Sequence, residues 1–226
     1  MEMAKGELPD QRNVPGKTVG FVEETPEPRY PSELAGDVTT RLGTRLHLRP
    51  IRPDDASRLV DFHQQLSLRS VYRRYLYVHP TLSATEVERF TRVDYVDRLA
   101  LVAEDDSGLV AVGRYDRTSG TAEAEVAFVV ADEYQHHGIG TLLLEQLAGA
   151  ARQRGITSFV ATTLAENREM LDVFLDSGFA VTTTLEDGTV SVRFPITPDD
   201  MYKAACDLRH SRAQAGVPDR GAQPSC

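Results

Sequence analysis

Between Ala124 and Thr141 the chain reads AEVAFVVADEYQHHGIGT, and two kinds of chemistry stand side by side there. Gly138, Ile139 and Gly140 open an apolar-periodic helix. The first backbone N–H groups of a helix lack partners and share the positive end of the peptide dipole, so this turn can hold an anion such as phosphate. Glycines at 138 and 140 allow close approach, because no Cβ stands in the way. Upstream, Glu125 interrupts the apolar run Val126, Ala127, Phe128, Val129 and Val130. A carboxylate desolvated among such residues has its pKa raised towards neutrality and can accept a proton at working pH. A solvent-facing carboxylate or an ion-pair partner fits the same residue, and residue type leaves all three readings open. Glu123 shares its face by the period of two and is the understudy. His136 and His137 occupy the loop itself. A bound phosphate would favour their protonated form, which predicts affinity that falls as pH rises through the histidine range.

A strand must lead into that turn and a helix must leave it. Ile139, Leu142, Leu143, Gln146, Leu147 and Ala150 recur at three and four residues, giving an amphipathic helix that ends near Gly155. Upstream, Leu99 to Glu104, Leu109 to Tyr115 and Thr121 to Val130 are joined by short polar turns, the pattern of an antiparallel meander. Order is expected to begin at Thr44, with a strand on Leu46, Leu48 and Pro50. Pro53-Asp54-Asp55 starts a helix burying Leu59, Phe62, His63 and Leu66. A short helix is predicted over Leu68 to Leu76, with Val71, Tyr72, Tyr75 and Leu76 inward. Ser83 and Glu86 have capping-box spacing for a third. Downstream, Ser158 to Leu164 reads as a strand. Asn167 to Ser177 reads as a helix with Met170, Leu171, Phe174 and Leu175 inward. Phe179 to Leu185 and Thr189 to Phe194 close the pattern as a hairpin around Asp187-Gly188. The class is therefore α/β in a mixed layer, a mostly antiparallel central sheet of about seven strands flanked by helices. The dinucleotide-binding fold fits poorly, since its glycine turn follows the first strand. Gly16-Lys17-Thr18 lacks the glycine that a triphosphate loop carries five residues earlier, where Gln11 stands, so that pattern is not met.

Composition narrows the classes further. The 226 residues are 41% apolar and 26% charged, which suits one domain plus tails. With 25 basic against 34 acidic residues the net charge is −9, which argues against non-specific nucleic-acid binding and a polybasic membrane anchor. No apolar run approaches the roughly 20 residues that span a bilayer, and MEMAKGELPDQRN lacks the apolar core of a signal peptide. Cys206 and Cys226 have no metal spacing, so neither a zinc site nor a disulfide framework is expected, and the cytoplasm is the expected compartment. Residues 1 to about 40 hold five of the twelve prolines and read as a disordered tail. Residues 44–196 form the expected domain. Residues 197–226 read as an extension, helical around Asp199 to Leu208 and then disordered.

Gln135-His136-His137-Gly138-Ile139-Gly140 matches the Q-x-x-G-x-G/A motif of the GNAT acyltransferase superfamily, and the strand order, Asn167 and Gly178-Phe179 fit the same pattern. A closer likeness is to the Pat-type protein lysine acetyltransferases. It is carried by Leu48-Arg49-Pro50-Ile51-Arg52-Pro53, Val93-Asp94-Tyr95, Gly113-Arg114-Tyr115-Asp116 and Ala124 to Val130, and it covers about Arg45 to Ile196. The resemblance implies the GNAT fold with acetyl-CoA as acyl donor, propionyl-CoA being an alternative. By that resemblance Gln135, His136, His137, Gly138, Ile139, Gly140 and Thr141 surround the pyrophosphate. Phe128, Val129 and Val130 would pair with the pantetheine arm, and Asn167 and Met170 would add contacts. Many Pat-type enzymes carry a fused sensor domain. The segment before Thr44 is short and polar, so a free-standing catalytic domain is expected.

The resemblance also implies an acceptor, the ε-amine of a protein lysine, with an acyl-CoA synthetase as the usual target. A lysine with a reference pKa near 10.4 is neutral in roughly one molecule in a few thousand at pH 7, so a base is needed. Pat-type enzymes carry a glutamate at the place of Glu125 as that base. Many GNAT enzymes place a tyrosine seven residues after the asparagine as general acid. Phe174 stands there, and no acid is assigned. Tyr115, Tyr72 and His79 are candidates to shape the acceptor cleft, with packing the better reading of each. Two rival readings are a GNAT acting on a small amine and a non-catalytic acyl-CoA sensor.

Overall fold

The computed structural model describes residues 28–40 and 42–197. One eight-stranded sheet runs through them in the order β1-β2-β3-β4-β5-β6-β8-β7. The strands are β1 (Gly36–Thr39), β2 (Arg45–Pro50), β3 (Arg98–Asp105), β4 (Gly108–Arg117), β5 (Glu123–Val130), β6 (Ser158–Leu164), β7 (Thr182–Glu186) and β8 (Thr189–Pro195). Every neighbouring pair is antiparallel except β5 and β6. The parallel pair is joined by helix α4 (Ile139–Gln153), as parallel strands require a crossover. The other helices are α1 (Ala56–Gln65), α2 (Leu68–Tyr75), α3 (Ala84–Thr91) and α5 (Arg168–Leu175).

Alternation along β5 decides which side chains meet which layer. Ala124, Val126 and Phe128 are buried on the face that α4 covers. A Cβ on Gly113 of β4 would meet Phe128 at 2.9 Å and Leu143 and Leu147 of α4 at 3.2 Å, so the helix rests directly on the sheet there. The alternate residues, Glu125, Ala127 and Val129, face the layer of α1, α2 and α3. Their β4 neighbours on that face are Asp116, Arg114 and Val112.

The sheet has eight strands where about seven were expected, and the added one lies in the segment read as tail. β1 is four residues long with a single partly buried side chain, Val38, too short for its alternation to be read. It pairs with β2 from Gly36↔Leu48 to Thr39↔Arg45. Tyr30 anchors the chain ahead of it, edge-on to Tyr95 at 5.6 Å and donating its hydroxyl to the Pro50 carbonyl at 3.1 Å. Residues 1–27, the extension from residue 198 with Cys206 and Cys226, and the helix expected around Asp199 lie outside the described residues.

Three orientations also differ. Tyr72 is 42% exposed, because α2 buries the neighbouring Val71 and takes Tyr75 four residues on. Leu175 is 56% exposed, because Phe174 one position earlier takes the core side of α5. Gln146 faces solvent from α4. Phe179 precedes the last hairpin rather than joining it, stacked on Phe194 at 5.4 Å between centroids.

A buried ion network fixes the start of α1. Arg49 of β2 donates to both carboxylate oxygens of Asp55 at 2.7 Å and to Glu104 of β3 at 3.0 and 2.9 Å. Arg58 of α1 reaches the same two carboxylates. Burial alone would raise the Asp55 pKa. The hydrogen bonds from Arg49 and the Arg52 N–H outweigh it and hold Asp55 below the usual carboxylate range. The layer of α1 and α2 is thereby tied to the sheet.

Candidate active site

β5 and β6 pair only at Glu123↔Ser158, Ala124↔Phe159 and Glu125↔Val160. Both strands then continue, β5 to Val130 and β6 to Leu164, without pairing to each other. The sheet opens there into a cleft of about 350 Å³. One wall is β5 and the loop after it, another is α5, and α2 leans over the top. An adjoining chamber of about 160 Å³ holds Glu125, and the two spaces share Arg73, Arg74, Phe128 and Met170 as walls.

The floor of the larger cleft is the start of α4. Gly138 is its N-cap with φ of 81°, a left-handed backbone that favours glycine. No side chain caps the helix, and the first helical backbone bond comes from Leu142 N–H to the Gly138 carbonyl. The amides of Ile139, Gly140 and Thr141 are thus free to hold an anion at the positive end of a fifteen-residue helix. Gly140 has a second reason to be glycine, since a Cβ would stand 3.2 Å from Val173 of α5.

Of the residues expected around the cofactor, all but His137 line this cleft. His136 faces it from a left-handed backbone with φ of 64°. His137 turns away, its Nδ1 3.1 Å from the Thr44 hydroxyl. Gln135 lines the cleft but uses its amide to brace the loop, donating to Ser70 Oγ at 3.0 Å and to the Val130 carbonyl at 3.2 Å. Asn167 is the N-cap of α5, accepting from the Met170 N–H at 3.4 Å while its Nδ2 donates to Thr163 at 3.2 Å.

Glu125 is exposed in its chamber. The desolvation expected from its apolar neighbours is therefore absent in the free protein, because those neighbours bury their side chains on the opposite face of β5. Among the described residues no hydrogen bond or ion pair engages Glu125. Glu123 differs, held by Arg193 and 3.4 Å from Ser158 Oγ. Phe174 is 1% exposed, packed between Phe128 and Phe194, and offers the chamber no proton. Tyr115 is fully buried with its hydroxyl on the Val96 carbonyl, and burial pushes its pKa up. His79 is buried against Tyr75. Neither these two nor Tyr72 line either space.

A family model described as an acetyltransferase (GNAT) domain matches residues 45–180, more than half of the chain. The chain belongs to the GNAT acetyltransferase family. The acetyltransferase Pat of Mycolicibacterium smegmatis is 32% identical over 166 residues, covering 72% of this chain and 49% of that protein. The solved GNAT domain of S. lividans PAT is 42% identical with a TM-score of 0.70, covering 74% of this chain and 99% of that one. A cAMP-binding acyltransferase from Mycobacterium smegmatis is 26% identical with a TM-score of 0.53, covering 82% of this chain and 57% of that one. The chain thus spans about half the length of the curated Pat relative. The likeness to Pat-type GNAT domains holds in both sequence and fold.

Several residues of this GNAT cleft have no counterpart in the sequence reading. Arg73 of α2 pairs with Glu169 of α5 at 2.9 Å, a bridge between the two helices that wall the cleft. Its signal was the Arg73-Arg74 pair on a short helix in an otherwise acidic chain. Asp132 accepts from the Ser67 N–H and hydroxyl at 2.9 and 2.7 Å and from the Ser70 hydroxyl at 2.8 Å. Burial raises the Asp132 pKa, and these three donors more than reverse it. The contact pins the cofactor loop to the start of α2. Asp132→Ala is expected to raise the KM for acetyl-CoA about threefold to tenfold, the worth of roughly one ordinary hydrogen bond, with kcat nearly unchanged in a thiol-release assay.

Proposed function

We propose that the protein transfers an acetyl group from acetyl-CoA to the ε-amine of a protein lysine, by direct attack in a ternary complex. The carrying observation is the parting of β5 from β6 at Glu125. It leaves the uncapped α4 amides in one space and, in the adjoining one, the Glu125 carboxylate with no side-chain partner among the described residues. The residues present fit the donor. Ile139, Gly140 and Thr141 would hold its pyrophosphate through backbone N–H groups. Phe128, Val129 and Val130 would lie along the pantetheine arm, and the thioester supplies the activated acyl carbon.

Glu125 would take a proton from the acceptor ammonium, directly or through one water, as the amine nitrogen attacks the thioester carbonyl. The C–N bond forms, the C–S bond breaks with its electron pair leaving on sulfur, and the second nitrogen proton passes to the departing thiolate or to water. With a thiol pKa near 8.5 the sulfur is a fair leaving group, which fits the absence of a hydroxyl at Phe174. The open chamber becomes less wet once donor and acceptor fill it, and this would give Glu125 the desolvation it lacks when free. Protein rather than small-amine acceptors are supported by that openness and by the Pat relatives. Propionyl-CoA would fit the same cleft.

The test is thiol release on mixing the protein, acetyl-CoA and an acyl-CoA synthetase, with acetyl-lysine located by mass spectrometry. Thiol release with one lysine acetylated supports the reading. Acetyl-CoA binding with no turnover on any protein or amine supports the sensor instead. His136 faces the cleft and His137 does not, so His136→Gln should weaken acetyl-CoA binding in calorimetric titrations more than His137→Gln.

A further inference from the structure

Arg74 walls the acceptor chamber and Arg114 lies behind it, and among the described residues neither makes a hydrogen bond or ion pair to a carboxylate. Arg114, in the middle of β4, is 7% exposed. Its guanidinium lies 4.1 Å over the Phe90 ring, and its hydrogen bond is a long one, 3.4 Å to the Phe90 carbonyl. Burial, and then the charge of Arg74, push its pKa down to about 9. Arg74, in the last turn of α2, is half-buried, and burial lowers its pKa too. The two side chains meet in a small cavity of about 20 Å³ under α2, and Arg74 also walls both the donor cleft and the chamber of Glu125. Two carboxylates send their field to Arg74, Glu125 and Asp116. Asp116 is taken by Arg98 at 2.9 Å, and Glu125 is the proposed base.

Buried guanidinium groups are ordinarily paired, because removing them from water costs several kcal/mol unless a counter-charge is supplied. Here two like charges stand together with only the more distant field of Glu125 and Asp116 and no directly bound carboxylate among the described residues, whereas Arg49 of β2 is served by two carboxylates. The arrangement suits an anion that arrives with the acceptor. A guanidinium holds a carboxylate through two parallel N–H bonds, and that geometry selects planar oxyanions.

We infer that Arg74, with Arg114 behind it, forms a carboxylate-recognition element of the acceptor site, so that the amine acetylated is one carried close to a carboxylate. This rests on the reading of the Glu125 chamber as the acceptor site. Two sources share that chemistry: an Asp or Glu side chain beside the target lysine, and the α-carboxylate of a free amino acid. Arg74 would touch the carboxylate. Arg114 acts through Arg74, its charge keeping Arg74 from folding inward.

The experiment uses the full chain saturated with CoA, the product, so that binding is read without turnover. Four probes are titrated by calorimetry: a short lysine peptide with Glu flanking the lysine, the same peptide with Gln, free lysine, and lysine amide. Wild type is expected to bind one carboxylate-bearing probe about tenfold or more above its neutral partner. Arg74→Gln should erase that preference and Arg74→Lys should restore part of it, each variant being read at a CoA concentration that saturates it. Preference within the peptides assigns a lysine in an acidic setting, and preference within the free lysines assigns an amino acid. Equal binding of charged and neutral probes by wild type overturns the inference, as does a preference that survives Arg74→Gln. A loss of CoA affinity in Arg74→Gln with the preference intact would place Arg74 on the donor and overturn it as well. Turnover of wild type against Glu125→Gln is read separately, so a failed preference with intact, Glu125-dependent transfer rejects only this inference.

Discussion

Asp55→Ala is expected to destabilise the protein by about 3 kcal/mol, the low end for breaking a buried pair, because the buried Arg49 loses its bidentate partner and keeps only Glu104. Arg49 and Asp55 are 6% and 3% exposed, so water cannot replace the lost bond. Arg58 also loses a contact, but it is partly exposed and keeps Glu104. Urea unfolding followed by far-ultraviolet circular dichroism measures the loss as a lowered midpoint with an unchanged slope. The network also has a pH signature. Asp55 and Glu104 both have folded pKa values held below the usual range by Arg49, against burial that would raise them. A depressed carboxylate contributes stability above its unfolded pKa, about 4, and loses that contribution as pH falls through the folded value. Wild type should therefore lose stability on acidification below about pH 4, and Asp55→Ala should show a shallower loss over the same window.

Glu125→Gln is expected to lower kcat by about a hundredfold to ten-thousandfold, the range that general-base catalysis supplies. The substitution keeps shape and removes the proton acceptor. Acetyl-CoA affinity should not change, since the α4 amides proposed to hold the donor line a separate space from the one that Glu125 lines. Because the Glu125 side chain is exposed and makes no hydrogen bond or ion pair among the described residues, its substitution breaks no such contact and the unfolding midpoint should stay close to that of wild type. A fall in kcat with unchanged Kd and midpoint separates the chemical role from a structural one.

The glycine turn and its helix were legible because several independent signals coincided on one segment. Gly138 at a helix start, Gly140 two residues on and the leucine stripe behind them all imply the same local geometry, and the backbone adopts it. Ser83 and Glu86 form the capping box their spacing implies. β1 was not legible, since Gly36–Thr39 is held by its partner β2 and by Tyr30 rather than by any pattern of its own. The setting of Glu125 was half legible. The period of two places it opposite the apolar face, yet the exposure of that second face depends on where β6 stops pairing, which no local residue encodes. The roles of Asp132 and Arg74 depend on α2 reaching across to β5 and its loop, contacts between residues about sixty or fifty apart in the chain. Spacing within one element cannot show them.

The central claim is that donor and acceptor meet across β5 and that the acyl group passes directly between them. Its most direct measurement is a single turnover. The protein is loaded with radiolabelled acetyl-CoA, mixed with an acyl-CoA synthetase, quenched over time, and the label is located on cofactor, enzyme and acceptor. The account predicts that label leaves the cofactor and reaches the acceptor lysine at one rate, with none on the enzyme, and that Glu125→Gln slows both together. Label accumulating on the enzyme, or transfer by Glu125→Gln at the wild-type rate, would contradict it.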